Sequence, residues 1–174
     1  MDLGPRTSPW DAQLRLRQAR VLLVGVGGTG GYAAQSLVAS GVGRLHCVDP
    51  DVVELSNLNR QPLFRESDLG RPKVTAALAT LRALNSDVTV TGERREIRHP
   101  ADLARLIRTG APEAPSEPRR AGTPQAPSEP TPAGTPEVPY SSRSSYDLLV
   151  LAADRPDDIR RWANRVCLAA DLPW

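Results

Sequence analysis

The 174-residue sequence predicts an α/β fold, a mostly parallel sheet with helices on both faces that is incomplete at its C-terminal end. Three observations carry that expectation. Short apolar runs recur along the chain, stretches with helical apolar spacing stand between them, and glycines mark several of the junctions. Strands that alternate with helices imply parallel pairing through right-handed crossovers.

The elements follow in order. Ser8-Pro9-Trp10-Asp11 can cap and open a short helix, since proline in the first turn forfeits an N–H that has no partner there. Leu14 and Leu16 give this helix apolar surface among Arg15, Arg17 and Arg20. Val21-Leu-Leu-Val24 is a continuous apolar run ending in glycines, as a strand buried on both faces should be. Tyr32 to Ser40 reads as a helix stopped by Gly41. Arg44 to Val48 is the second strand. Lys73 to Leu84 is amphipathic, with Val74, Ala77, Leu78 and Leu81 on one face. Val88 to Val90 is a short third strand and Asp102 to Arg108 a short helix. Asp147 to Ala152 is the fourth strand. Pro156 and Asp157 then open a last helix with Ile159, Trp162, Ala163 and Val166 on one face.

Composition narrows the function. A net charge of +2 from 22 basic and 20 acidic residues argues against nucleic acid and against an anionic membrane surface. Cys47 and Cys167 are the two cysteines, and neither belongs to a CxxC or a Cys/His cluster, so a disulfide framework or cysteine zinc site is not expected. The first residues carry no apolar leader and no apolar run nears 18 residues, so the expectation is a cytoplasmic protein.

The organisation is an N-terminal helix in residues 1–19, a nucleotide-binding half in 20–109, an insertion in 110–145, and a continuation of the same domain in 146–174. In the insertion, Ala-Pro-Ser-Glu-Pro occurs at 114–118 and 126–130, and Ala-Gly-Thr-Pro at 121–124 and 133–136. This tandem repeat of period 12 holds 9 of the chain's 17 prolines and no apolar periodicity. Such a segment buries too little surface to offset its ordering entropy, and it reads as disordered, partly polyproline II. Repeat slippage in the gene explains it better than a proline-recognition ligand does.

Gly25-Val-Gly27-Gly28-Thr-Gly30 lies between the first strand and the following helix. In that position backbone N–H groups and a helix N-terminus are offered to phosphate without Cβ obstruction. Asp49 follows Gly30 by 19 residues at the end of the second strand, where a carboxylate can accept bonds from ribose hydroxyls. This much fits NAD, FAD, S-adenosylmethionine or ATP equally, on a Rossmann-like sheet.

The next residues separate those ligands. Arg60 and Lys73 are fixed cations suited to bidentate and point-charge contact with phosphate oxygens. Asn57 and Gln61 add neutral donors, and Lys73 stands at a helix start, where its charge adds to the positive helix end. A dinucleotide fingerprint requires none of them. There is no GxxxxGK[ST], which excludes a P-loop.

The run from Arg20 to Trp174 resembles the adenylation domain of the ThiF/MoeB/HesA superfamily, relatives of ubiquitin-activating enzymes. The matching residues are Gly25-x-Gly27-Gly28-x-Gly30, Gly41-Val-Gly43, Asp49-x-Asp51, Ser56-Asn57-Leu-x-Arg60-Gln61, Gly70-x-x-Lys73 and Asn85, then Asp154 after an apolar strand and Asn164 in the next helix. The resemblance implies ATP-dependent activation of a carboxylate, usually the C-terminal diglycine of a ubiquitin-like or sulfur-carrier protein, as an acyl-adenylate. It implies that the glycine turn and Asp49, with Asp51 beside it, hold the adenosine end, that Asn57, Arg60, Gln61 and Lys73 hold the phosphates, and that Asp154 binds Mg²⁺. Arg60, Lys73 and Asp154 would then be the catalytic groups, with ATP and Mg²⁺ as cofactors. A homodimer or a partner chain is the expected assembly.

The chain departs from the family pattern at three places. Arg6 and Arg15 match its N-terminal arginine motif poorly, and Arg155-Pro156 follows Asp154 where many members have Thr-Asp-Asn. Family members also continue beyond the equivalent of Trp174, so the sheet is expected to end here at an uncovered edge after the fourth strand. Cys167 is expected to pack rather than to act as a nucleophile. Two other functions stand beside adenylation: a non-catalytic nucleotide-binding half-domain that works through a partner, and an NAD- or FAD-dependent oxidoreductase.

Overall fold

A computed structural model describes residues 8–110 and 144–174. Most of the repeat insertion therefore lies outside the described residues. Four strands form one all-parallel sheet in the order β3-β2-β1-β4: β1 (Arg20–Val24), β2 (Arg44–Val48), β3 (Thr89–Glu93) and β4 (Leu148–Leu151). Five helices accompany them: α1 (Pro9–Gln18), α2 (Gly28–Ala39), α3 (Lys73–Leu84), α4 (Pro100–Thr109) and α5 (Ile159–Ala170).

The sheet divides the core in two, as the alternation of side chains along a strand requires. Val21, Leu23, Leu45, Cys47 and Val90 face α2 and α3, where Ala34, Val38, Ala77 and Leu81 close the layer. Leu22, Val24, Val48 and Leu149 face α4 and α5, meeting Leu103, Leu106, Ile107, Ile159, Ala163 and Cys167. Helices thus cover both faces, and the core is almost wholly aliphatic, as the 4% aromatic content requires.

Several boundaries differ from the sequence expectation, α4 beginning at Pro100 rather than Asp102 and α5 at Ile159 rather than Pro156. Helix α2 begins at Gly28 rather than Tyr32, because the glycine turn is itself the first helical turn and Gly31 N–H donates to Gly27 O at 2.8 Å. Strand β3 runs on through Thr91-Gly92-Glu93, which pair with His46, Cys47 and Val48 of β2. Its apolar signal stops early because Thr91 faces His46 instead of a hydrophobe. Beyond β4, the chain leaves α5 through Asp171, at φ +52°, and returns alongside the sheet. Leu149 N–H donates to Pro173 O at 2.9 Å, so the outer side of β4 is in part occupied.

The remaining helix ends are capped locally. Ser8 and Asp11 form a reciprocal capping box at α1, with Ser8 Oγ accepting from Asp11 N–H at 3.1 Å. His99 caps α4, and Gly41, at φ +81°, follows the end of α2. Asn85 ends α3 and ties it to α2, its Nδ2 donating to Val38 O at 3.0 Å.

Candidate functional site

Strand order reverses at β1, whose neighbours are β2 on one side and β4 on the other. In an open parallel sheet the crevice beyond the strand ends at such a point is where ligands bind. The glycine turn leaves β1 there. Gly25 has a φ of +94°, and a Cβ on it would lie 2.9 Å from the backbone of Ala152 and Ala153. A Cβ on Gly30 would collide with the Gly25 carbonyl. The turn is compact because both positions lack side chains, and it packs against the exit of β4.

Asp49 braces this turn from the neighbouring strand. It is buried, and its Oδ2 accepts from Val26 N–H at 2.9 Å while its Oδ1 accepts from Asp51 N–H at 2.9 Å. Each carboxylate oxygen keeps a further acceptor position. The acid at the end of β2 therefore has a structural duty that spacing alone did not reveal.

Lys73 and Asp51 come together because the chain from Asp51 to Val53 pairs with the approach to α3. Val53 N–H donates to Arg71 O, Gly70 N–H to Val53 O and Lys73 N–H to Asp51 O, each at 2.9 Å. Lys73 is buried, and its Nζ lies 2.9 Å from Oδ2 of the exposed Asp51. Beside them Arg94, which sequence reasoning passed over, donates from Nε to Pro50 O at 2.8 Å. Its position just past β3 was the signal available.

The Ser56-to-Gln61 segment starts in a 3-10 turn, Leu55–Asn57. Asn57 is buried and its Oδ1 accepts from Glu54 N–H at 3.1 Å. Arg60 is exposed; its guanidinium donates to Ser56 O at 2.6 Å and to Asn59 Oδ1 at 3.1 Å. Gln61 is buried beneath the glycine turn, with Nε2 3.6 Å from where a Cβ of Gly27 would be and Oε1 without a hydrogen-bond partner among the described residues. Of the polar pair, Asn57 shapes its own loop, whereas Gln61 faces the turn.

Asp154 is exposed and follows the Ala152-Ala153 backbone that cradles Gly25. Among the described residues no three His, Cys, Asp or Glu side chains cluster as a metal cage. One or two carboxylates suffice for Mg²⁺, which keeps several waters and takes its other ligands from substrate phosphates. Asp154 fits that group. The cysteines do not contribute: both are fully buried, and burial pushes Cys47 up to about 12 and Cys167 to about 11. Neither supplies a thiolate.

The glycine turn, Asp49, the Lys73–Asp51 pair, Arg60, Gln61 and Asp154 are thus carried by segments that leave the C-terminal ends of β1, β2 and β4 or lead into α3. The model of the ThiF family matches residues 5–174. The chain belongs to the ThiF family. It is 51% identical over 89 residues to the SAMP-activating enzyme E1 of Haloferax volcanii, covering 51% of this chain and 31% of that protein. It is 42% identical over 98 residues to the molybdopterin-synthase adenylyltransferase of Escherichia coli, covering 56% and 39%. A crystal structure of E. coli MccB with ATP superposes with a TM-score of 0.68 at 27% identity, covering 92% of this chain and 37% of that one. The ThiF-family chain described here therefore spans well under half the length of these relatives. Among its described residues, no helix is long and apolar enough to cross a membrane.

Proposed function

We propose that the chain is the nucleotide-binding part of an ATP-dependent adenylyltransferase that activates the C-terminal carboxylate of a ubiquitin-like or sulfur-carrier protein as an acyl-adenylate. The observation that carries this reading is the buried Lys73 held at Asp51 beside Asp49 and the glycine turn. A hydride-transfer enzyme has no use for a buried ammonium there. The names of the relatives above support the same reaction class.

In this reading the glycine turn and the start of α2 face the phosphates, where N–H groups and the helix end favour anions. The free acceptor positions of Asp49 take ribose hydroxyls, with Asp51 beside it at the adenosine end. Lys73, Arg60, Asn57 and Gln61 act on the phosphate side. Attack of a carboxylate on the α-phosphorus forms a C–O–P bond and releases pyrophosphate, so negative charge grows on the phosphate oxygens. Fixed cations stabilise that charge without reorganising, and no enzyme nucleophile is needed. Mg²⁺, held by Asp154 and the phosphates, would supply further charge neutralisation. The carrier's diglycine tail, and a second copy or partner chain completing its groove, belong to the same reading.

Equilibrium binding of ATP, NAD⁺ and FAD, each with Mg²⁺, tests it. ATP should bind far more tightly than the other two, and a preference for NAD⁺ would overturn adenylation.

A further inference from the structure

At the opposite pole of the sheet, where the strands begin, a second set of cations has no part in the reading above. Arg20 of β1, Arg44 of β2 and Thr89 of β3 are direct neighbours in register. They share the parity of Leu22 and His46 and so lie on one side of the sheet. Arg17, in the last turn of α1, joins them at the rim of an open cleft of about 530 Å³, which Gln18, Gly43 and Asp87 also line.

Charge in this cleft is unbalanced. Three arginines and one carboxylate residue, Asp87, line it, and among the described residues none of the three arginines pairs with a carboxylate. Asp147 sits in the same row on the far side of Arg20, but its Oδ2 accepts from the Arg20 backbone N–H at 2.8 Å. One carbonyl near the end of α1 is also taken: Leu16 O accepts from Gly43 N–H at 3.0 Å and from Ala19 N–H at 3.1 Å. In-register neighbours on adjacent strands stand about 4.8 Å apart, and like charges so placed repel. A multiply charged anion between them turns that repulsion into attraction, and paired guanidiniums match the oxygens of phosphate in fork geometry.

We propose that Arg17, Arg20 and Arg44 form a binding site for a soluble phosphate-type oxyanion of two or more charges, with Thr89 and Gln18 as neutral donors. The site lies at the far end of β1 from the glycine turn, so it is separate from the nucleotide crevice and does not depend on that assignment.

The test is amide NMR of the full chain titrated with inorganic pyrophosphate, with orthophosphate and malonate as parallel arms. Pyrophosphate should shift Gly43, Arg44 and Thr89, whether or not it also shifts Gly25 to Gly30. Orthophosphate should move the same amides at higher concentration. The double variant Arg20→Gln/Arg44→Gln should weaken the response of Gly43 and Thr89 at least tenfold, with the resonances of the glycine turn unchanged as a control for folding. Three results would overturn the proposal: no shift at these amides, an undiminished shift in the double variant, or malonate binding as tightly as pyrophosphate.

Discussion

Asp51 and Lys73 are joined twice, backbone to backbone at 2.9 Å and ammonium to carboxylate at 2.9 Å. The two partners differ in surroundings: the Lys73 side chain is 8% exposed and the Asp51 side chain 61%. Losing the carboxylate strands a buried cation, whereas losing the ammonium leaves an acid already in water. Asp51→Ala should therefore cost about 1–3 kcal/mol of stability, and Lys73→Ala clearly less. Urea denaturation of the two variants measures the difference; equal losses would contradict the asymmetry.

The same lysine should matter differently to the ligand. Lys73→Ala and Arg60→Ala are expected to weaken ATP by about 1.5–3 kcal/mol each, as charge-assisted contacts do, while barely changing AMP. Calorimetric titration with both nucleotides decides it. Equal losses for ATP and AMP would place these cations away from the outer phosphates.

Gly30→Ala should disrupt the phosphate turn, because the added carbon collides with the Gly25 carbonyl and not with a side chain that could move aside. Overpacking of this kind costs at least about 1–3 kcal/mol. ATP affinity should fall sharply with the fold retained by circular dichroism. Gly70→Ala is a useful contrast: a Cβ there meets nothing within 4 Å, so any loss comes from its φ of +78° alone and should be smaller than at Gly30.

His46 gives the fold a pH dependence. It is 1% exposed, its Nδ1 is 2.9 Å from Thr91 Oγ1, and its Nε2 lies 3.7 Å from Glu93. Burial lowers its pKa below 6.5, and Glu93 only partly offsets this. The folded state therefore stays neutral where the unfolded chain takes up a proton. Stability is present above about pH 6.5 and falls as the pH drops below it, by at most about 1.4 kcal/mol per pH unit for one proton. His46→Gln should flatten this slope between pH 6.5 and 5.5 in urea titrations. An unchanged slope would assign the acid sensitivity to another group.

Removing residues 111–143 and bridging the gap with a short glycine-serine linker should leave the melting temperature and ATP binding nearly unchanged. The flanks are already tied, Ser145 N–H donating to Ile107 O at 2.9 Å and Ser145 Oγ to Arg108 O at 2.9 Å. A large drop in melting temperature would show that the insertion supports the domain.

How much of this was legible in the sequence depended on whether the signal was local. The runs Val21 to Val24 and Leu45 to Val48 announced their strands because both faces of each are buried. The start of α2 was hidden because its first turn is written in glycines, which propensity reads as a break. Types and spacing singled out Gly25, Asp49 and Lys73 as candidates, but not what holds them. That Lys73 meets Asp51 depends on the pairing of Val52 with Pro72, a bridge between two loop segments without periodicity. The burial of Asn57 and Gln61 was likewise invisible, since polar residues in a loop read as solvated. Arg94 went unnoticed because its partner is a backbone carbonyl 44 positions away.

The tie between Ser145 and the end of α4 also bears on heredity. A unit of 12 residues is a whole number of codons, so replication can add or drop one without shifting the reading frame. With its described flanks tied together at Ser145 and Ile107, an insertion that makes no contacts of its own, as its composition predicts, would add only the entropy of closing a longer loop, which rises by about 0.6 kcal/mol for each doubling of length. One repeat more or less costs a few tenths of that scale. Selection on folding would scarcely register it, and related genes should differ in repeat number while the glycine turn, Asp49 and Lys73 stay fixed.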